Sequence, residues 1–455
     1  MSRLAQPLRL AALAMAAILA SFGVVYCLCR VLDVNATPAI LAATLALGLS
    51  RRIHVPDLRQ LGAEVVALPL VALTAGLVGT ALLNLPAVGA ILFVGAMALS
   101  ILLRKFGPRP RAIGRIIAIA LIAILVVPVR IEGIAGRWLP VMLMIAAGLA
   151  AMLCNAGAAW LAGRIGWMEP DVEPPAPAPK ATAPTKHSLN IAERMALQMA
   201  VALGLAFAIG MIFFSAHWAW VVLTAFIVCS GAASRGEAVH KGLLRFGGAI
   251  VGAALAATVA HFSLPGPAHA AALIFAFLFI GIWLRPINYA GWAVCVTVIF
   301  ALLQGPRDQA ILHLLGMRMV CIFIGALCGI AVTWFVCPIR TEQIVRKHVA
   351  QALHALRDAL ASGTAPDMSA LDRHAAELER LAPPLRLHRR LVGPARASTH
   401  PAAWIDRMHV LIEQARTSQF DRARMGAQMR ELGAMLKTPT RPPSHPDPAA
   451  PQGLD

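Results

Sequence analysis

Apolar runs of membrane length alternate with short polar connections through the first three quarters of the chain. A bilayer-spanning helix needs about 20 mostly apolar residues, with a range of ~17–25. Twelve segments are candidates. In the first half they lie near 8–30, 36–50, 61–83, 87–103, 113–129 and 138–162. In the second half they lie near 194–214, 217–233, 243–262, 268–284, 288–304 and 315–337. The 36–50 segment is short, which suits a tilted helix or a tight hairpin with its successor. The first segment is longer than the core of a secretory signal, and further apolar segments follow it, so it is read as a span.

Two other patterns frame these runs. Between the halves, "EPDVEPPAPAPKATAPTKHS" is dominated by proline and alanine and reads as an extended linker, 166–190. After Cys337-Pro338 the pattern switches to amphipathic helices rich in Arg, Glu, Ala and Leu. In "IVRKHVAQALHALRDAL", Ile344, His348, Leu353 and Leu356 fall near one face. A small cytoplasmic helical domain is expected over 341–437, followed by a disordered tail, 438–455.

The halves repeat one another. Arg137 and Arg318 open equivalent spans 181 positions apart, and Arg104 and Arg285 close another equivalent pair at the same offset. Gly148 and Gly329 keep it, while Gly62 and Gly242 are 180 apart. Matches at one offset on corresponding helix ends argue for duplication. Six spans per repeat give both copies the same orientation. The expected fold is therefore all-α and polytopic: about twelve transmembrane helices as two parallel six-helix repeats, 1–165 and 191–340, plus the C-terminal helical domain.

Charge sets the orientation. "SRRIHVPDLRQ", "RKFGPRPRAIGR" and "SRGEAVHKGLLR" are loops of one parity, and each is basic. The opposite loops "NLPAVG", "FSAHWA" and "HFSLPGPAHA" carry no Lys or Arg. The positive-inside rule then puts both termini in the cytoplasm. Composition agrees with a membrane protein. Hydrophobic residues make up 59% of the chain and charged residues 14%, where soluble domains lie near ~45–50% and ~25%. The net charge of +18 matches no nucleic-acid module and is assigned to cytoplasmic loops. The eight cysteines form no CxxC pair, so neither disulfides nor a metal site is expected.

One stretch combines cations with glycine. In "EAVHKGLLRFGGAIVG", Lys241 and Arg245 stand before Gly248 and Gly252, and Ala256 continues the same four-residue spacing. Small residues on one face let helices approach closely in lipid. Ala72, Gly76 and Thr80 are the matching first-half positions, and Gly325 and Gly329 give the twelfth segment a similar face. The longer stretch "HWAWVVLTAFIVCSGAASRGEAVHKGLLRFGGAIVGAALA" resembles the core motif of the fusaric acid resistance and aromatic acid exporter family. That motif runs roughly R-x-x-G-T-x-x-G. Arg245, Gly248 and Gly252 fit it, and Ala249 stands where the family often has Thr. "RMVCIFIGALCGIAVTWFVCPIR" is similar to the module's closing helix. The resemblance covers about 190–340 and is weaker over 1–165. It implies export of small aromatic acids across a bacterial inner membrane, through a pathway where two halves meet. It also implies a periplasmic adaptor as a partner. The plant aluminium-activated malate channels share the paired six-helix plan.

The chemistry on offer is sparse. No P-loop, zincin or dinucleotide motif is present, so neither an enzyme, a cofactor nor a bound metal is expected. Glu64, Glu132 and Asp308 lie at or outside span ends, and no carboxylate falls in mid-membrane. His217, His261 and His313 are the titratable candidates. The arginines carry more information, because guanidinium groups facing a pathway attract and hold carboxylates. Arg245, Arg318, Arg137 and Arg285 are the pathway candidates, with interfacial snorkelling as the bland alternative. His217, Trp218, Thr224 and Asn288 join them as substrate-facing candidates. Trp220, Trp283, Trp292 and Tyr289 suit an interfacial belt or a stacking surface for an aromatic substrate. Gly248, Gly252, Gly325 and Gly329 are the packing glycines. The expected partners are a small organic acid and membrane lipid, with a homo-oligomer left open and no nucleic acid. A passive organic-anion channel and a membrane scaffold acting through the C-terminal domain remain as alternatives.

Overall fold

The computed structural model describes residues 5–50, 74–126, 139–167, 190–230, 235–262, 266–303, 310–337, 341–362, 368–392, 400–416 and 422–437. Most of the linker, the tail, Glu64, Glu132, Arg137, Gln304 and Asp308 lie outside these residues, as do Arg51, Arg52 and Arg59. Among the described residues the chain is helical and has no strand. It divides into two compact units. The first comprises residues up to 232 together with Lys241–Cys337, and the second comprises residues 233–240 together with 338 onward.

The first unit contains α1 (Ala5–Val31), α2 (Thr37–Leu49), α3 (Thr74–Asn84), α4 (Pro86–Leu102), α5 (Pro108–Val126) and α6 (Leu139–Arg164). It continues with α7 (Ile191–Phe213), α8 (Trp218–Cys229), most of α9 (Arg235–Phe262), α10 (Pro267–Leu284), α11 (Tyr289–Leu303) and α12 (Ala310–Phe335). Among the described residues, six stretches are long and apolar enough to cross a membrane: Gln6–Val31, Pro86–Phe106, Met142–Arg164, Ala192–Phe213, Arg235–Val259 and Leu315–Phe335. Helices α2, α3, α8, α10 and α11 are apolar but shorter. Proline in the first turn starts α2, α4 and α10, where its missing N–H is no loss. Helix α7 begins with the Glu193 carboxylate accepting the Asn190 N–H at 2.9 Å, half of a capping box.

Helix α9 starts earlier than its apolar run predicts. Residues Arg235–His240 contain no proline, Gly236 falls in the first turn, and Glu237 there favours the positive end of the helix dipole. Lys241 and Arg245 therefore stand inside the helix rather than at its opening.

Packing follows one scheme in both halves. The first, second and sixth helices of each half contact one another: α1, α2 and α6, then α7, α8 and α12. Across the halves α4 packs on α7, and α1 packs on α10. Two of the apolar clusters draw on both halves: one joins α4 and α5 to α7, α8 and α12, and the other joins α1, α2 and α6 to α10 and α11. A smaller one of Ala75, Ile116, Ala120 and Met152 belongs to the first half. Glycine brings several of these helices together. A Cβ at Gly248 would lie 2.7 Å from the Ala290 carbonyl oxygen, and one at Gly252 would lie 2.8 Å from the Thr297 Cβ, so α9 lies backbone-close on α11. A Cβ at Gly325 would lie 2.8 Å from the Thr224 Cβ, and one at Gly329 would meet Val228 at 2.9 Å, which seats α12 on α8. In the first half Gly76 faces Met144 of α6, and Gly79 is the residue that faces Ile124 of α5. The matching face of α3 is thus rotated from the one the spacing suggests.

In the second unit, α13 (Thr341–Ser362), α14 (Met368–Val392), α15 (Pro401–Arg416) and α16 (Arg422–Lys437) pack with the first residues of α9. Their core contains Val345, Val349, Leu356, Leu378, Trp404 and Met408. The buried stripe of α13 is Val345, Val349, Ala352 and Leu356, one position round from the predicted face. Ile344 and Leu353 flank it, because the valine stripe continues unbroken at i, i+4 and i+7. Pro383 and Pro384 lie inside α14 and remove two backbone donors. The Arg386 guanidinium spans that break, donating to the Glu379 carboxylate at 3.0 and 3.4 Å. Where α13 meets α14, His348 Nδ1 and His374 Nδ1 are 3.4 Å apart, close enough for one ring to donate to the other. Burial pushes the His348 imidazole below its ordinary 6.5, and His374 reinforces the shift. Burial, then Arg373, do the same to His374.

Two outcomes follow from these contacts. Gly248→Ala and Gly252→Ala should each lower the thermal unfolding midpoint in detergent, at a cost of about 1–3 kcal/mol for overpacking. Gly247→Ala, with nothing within 4 Å of its added methyl, should be nearly neutral. The histidine pair contributes stability that is full above the ordinary histidine range. That contribution erodes as pH falls through it, because protons bind the unfolded chain more readily. Hydrogen exchange in α13 and α14 of the whole protein, corrected for intrinsic rate, should quicken between pH 7.5 and about 5.5. His374→Gln should blunt that change.

Candidate functional site

Where α8, α9, α11 and α12 come together, the chain buries two arginines. Arg245 is 2% exposed and Arg318 is 4% exposed. Each is placed by a glycine contact. Gly248 and Gly252 hold α9 against α11 just beyond Arg245, and Gly325 holds α12 against α8 two turns beyond Arg318. The two guanidinium groups are near enough to repel each other.

Among the described residues, neither group has a carboxylate to face. Asp33 and Glu193 are the acidic residues among the described residues of the membrane unit. Asp33 lies in the turn after α1, and Glu193 pairs with Lys105 at 2.7 Å. The Nε of Arg245, and the Nε and Nη1 of Arg318, are buried without a hydrogen-bond partner. Buried arginine cannot escape by losing its proton, so its charge and its donors persist. What Arg318 has instead is two aromatic faces. Its Cζ lies 4.5 Å from the Phe300 ring centroid and 5.3 Å from that of Trp220. Cation–π attraction to two desolvated rings offsets part of the cost of burial. Guanidinium groups with unused N–H donors can bind a carboxylate, which would satisfy charge and those donors together.

The remaining candidates take varied places. His217 lies against Trp220, with ring centroids 4.6 Å apart and the planes tilted by 43°. Thr224 donates its hydroxyl to the Trp220 carbonyl at 2.9 Å and packs on Gly325, which fixes the helix that carries Trp220. Trp218 turns the other way, onto Phe207 at 5.4 Å and the Gly210 backbone. Asn288 accepts the Ala290 N–H at 2.9 Å and opens α11. Arg285 lies over the Trp292 ring at 5.1 Å, away from the buried pair. Arg104, its counterpart, lines a small cavity of about 40 Å³ with Ser100, Gln198 and Ser230, room for water but not for a larger solute. The side chains of His261 and His313 lie outside the described residues. Among the described residues, no three His, Cys, Asp or Glu side chains gather as a metal site would need.

Phe300 is the member of the group that sequence reasoning passed over. It is one of sixteen phenylalanines in an apolar chain, and neither its neighbours nor its spacing set it apart. Only the fold shows that it backs Arg318.

No curated protein matches the chain. A family model described as fusaric acid resistance protein-like matches residues 199–332, a span that takes in both buried arginines, their aromatic neighbours and the packing glycines of α9 and α12. Over that segment the chain is similar to the family.

Proposed function

We propose that this protein is a bacterial inner-membrane exporter of small organic acids, aromatic ones among them, with both termini and the second helical unit in the cytoplasm. The observation that carries the reading is the pair of buried arginines without a carboxylate. An isolated charge in an apolar slab is costly, and one retained there marks a pathway or a ligand site. Anions gathered by the basic loops would exchange their water for the guanidinium groups of Arg245 and Arg318. The apolar rings of Phe300 and Trp220 beside Arg318 would suit the body of an aromatic acid.

A duplicated plan, as the sequence offsets suggest, would put the route near the seam between halves. Corresponding helices pack in corresponding pairs, and Trp220 and Phe300 both belong to the apolar cluster that joins α4 and α5 to the second half. The substrate acid itself, or one of the histidines, would carry any coupled proton, since among the described residues no carboxylate of the membrane unit stands near the arginines.

Flux assays on the purified protein in liposomes, with a panel of carboxylic acids at varied pH and membrane potential, test this reading. The wild type should carry aromatic monocarboxylates. Arg245→Met and Arg318→Met should each cut that flux at least tenfold. Both should also raise the thermal midpoint in detergent, because replacing uncompensated buried charge by an apolar side chain stabilises, by roughly 1–4 kcal/mol. Normal flux in both variants would reject the arginine route. Flux that follows voltage with no dependence on pH would make the protein a channel instead.

A further inference from the structure

The buried pair is the inner end of a longer series. Lys241 precedes Arg245 by one turn on the same face of α9, an i, i+4 spacing at which like charges repel. Tyr289, the first residue of α11, stands beside both. The Lys241 ammonium is 5.9 Å from its ring, and Tyr289 interacts electrostatically with Arg245. Arg245 in turn interacts with Arg318, which is backed by Phe300 and Trp220. Burial is graded along the series: Lys241 is half-buried, and the two arginines are buried. Lys241 is anchored at its outer end, where it donates to the Ser230 carbonyl at the close of α8.

Lys241 answers the close of α8, but the packing gives no comparable reason for the two buried arginines behind it. A single snorkelling lysine needs no buried arginine behind it, and a packing seam needs none of them. An anion gives the series a purpose. A carboxylate has two oxygens and can bridge two neighbouring cations at once, so it can move along such a series without being bare at any stage.

We infer that Lys241, Arg245 and Arg318 form a relay for one carboxylate. The acid is first held between Lys241 and Arg245, against the Tyr289 ring, and then between Arg245 and Arg318, against Phe300 and Trp220. Arg245 belongs to both positions. Lys241 governs capture and Arg318 governs passage. This rests on the transport reading above and adds to it an outer position and an order of contact.

The test uses the full-length protein in liposomes with benzoate as the probe. Lys241→Gln should raise the KM for benzoate about tenfold, and Lys241→Arg, which keeps the charge, should restore it. Arg318→Gln should reduce the maximal rate at least tenfold. In detergent, benzoate should raise the thermal midpoint of the wild type, raise it less for Lys241→Gln, and leave Arg245→Gln unmoved. A Lys241→Gln protein with the wild-type KM would overturn the relay while leaving transport standing. A Lys241→Arg protein as impaired as Lys241→Gln would overturn it too, since lysine would then matter for its bond to Ser230 and not for its charge. A wild type that neither carries benzoate nor is stabilised by it would remove the transport reading and the relay together.

Discussion

A guanidinium group in an apolar medium has few ways to lower its energy. Lysine, histidine and the carboxylic acids can become neutral when buried, whereas arginine stays charged. It must therefore reach water, find an anion, or settle for weaker partners. Arg245 and Arg318 reach no water, and the described membrane unit offers them no carboxylate. Two aromatic rings give Arg318 a partial substitute. Most other features of the second half can be read as means of holding that arrangement together.

Glycine is the chief means. Without side chains at 248 and 252, α9 comes close enough to α11 for backbone contact, and that closeness brings Tyr289 beside Arg245. Without side chains at 325 and 329, α12 rests on α8, which puts Trp220 within reach of Arg318. In lipid there is no water to expel between helices, so dispersion contacts of this kind supply much of the association. A glycine in a helix interior costs about 1 kcal/mol against alanine. Extended backbone contact along two seams offsets that cost, and it also keeps the helices from spreading under the repulsion of the arginines.

What the sequence made legible, and what it did not, divides along physical lines. Helix positions followed from apolar length, since a membrane solvent leaves the backbone little other choice. The change of character after Cys337 marked the second unit, because amphipathic periodicity differs from uniform apolarity. Arg245 and Arg318 stood out as charges in apolar surroundings. Rotation about a helix axis was harder to read. In α3 every side of the helix is apolar, so the sequence held no signal to separate Gly79 from Gly76 as the residue facing α5. The true face of α13 was similarly hidden, because Ile344 and Leu353 are as apolar as the valines that are buried beside them. The start of α9 was missed because membrane hydropathy sees only the apolar part of a helix that runs on past it. Phe300 was invisible for a different reason: a ring that backs a cation has the same sequence signature as a ring that fills a core.

Local choices in a folded chain normally agree with one another, and disagreement that is retained without compensation marks function. Most polar side chains of this membrane unit agree with their surroundings. Thr224, Thr297 and Ser100 return their hydroxyls to carbonyls of their own helices, and Asn155 ties α6 to α2 by donating to the Ala46 carbonyl. Gln198 donates to the Val336 carbonyl and closes the end of α12. Each of these groups is buried or half-buried, and each donates to a carbonyl within the fold, with the Asn155 Oδ1 left over as an unpaired acceptor. Arg245 and Arg318 are of another kind. An apolar residue at either position would remove both the repulsion and the unanswered donors, and the glycine seams would pack as before. Stability alone therefore gives no reason for the pair. The missing term has to come from outside the chain, and its chemistry is set by what the site lacks: negative charge, more than one acceptor oxygen, and an apolar body suited to lying beside Phe300 and Trp220.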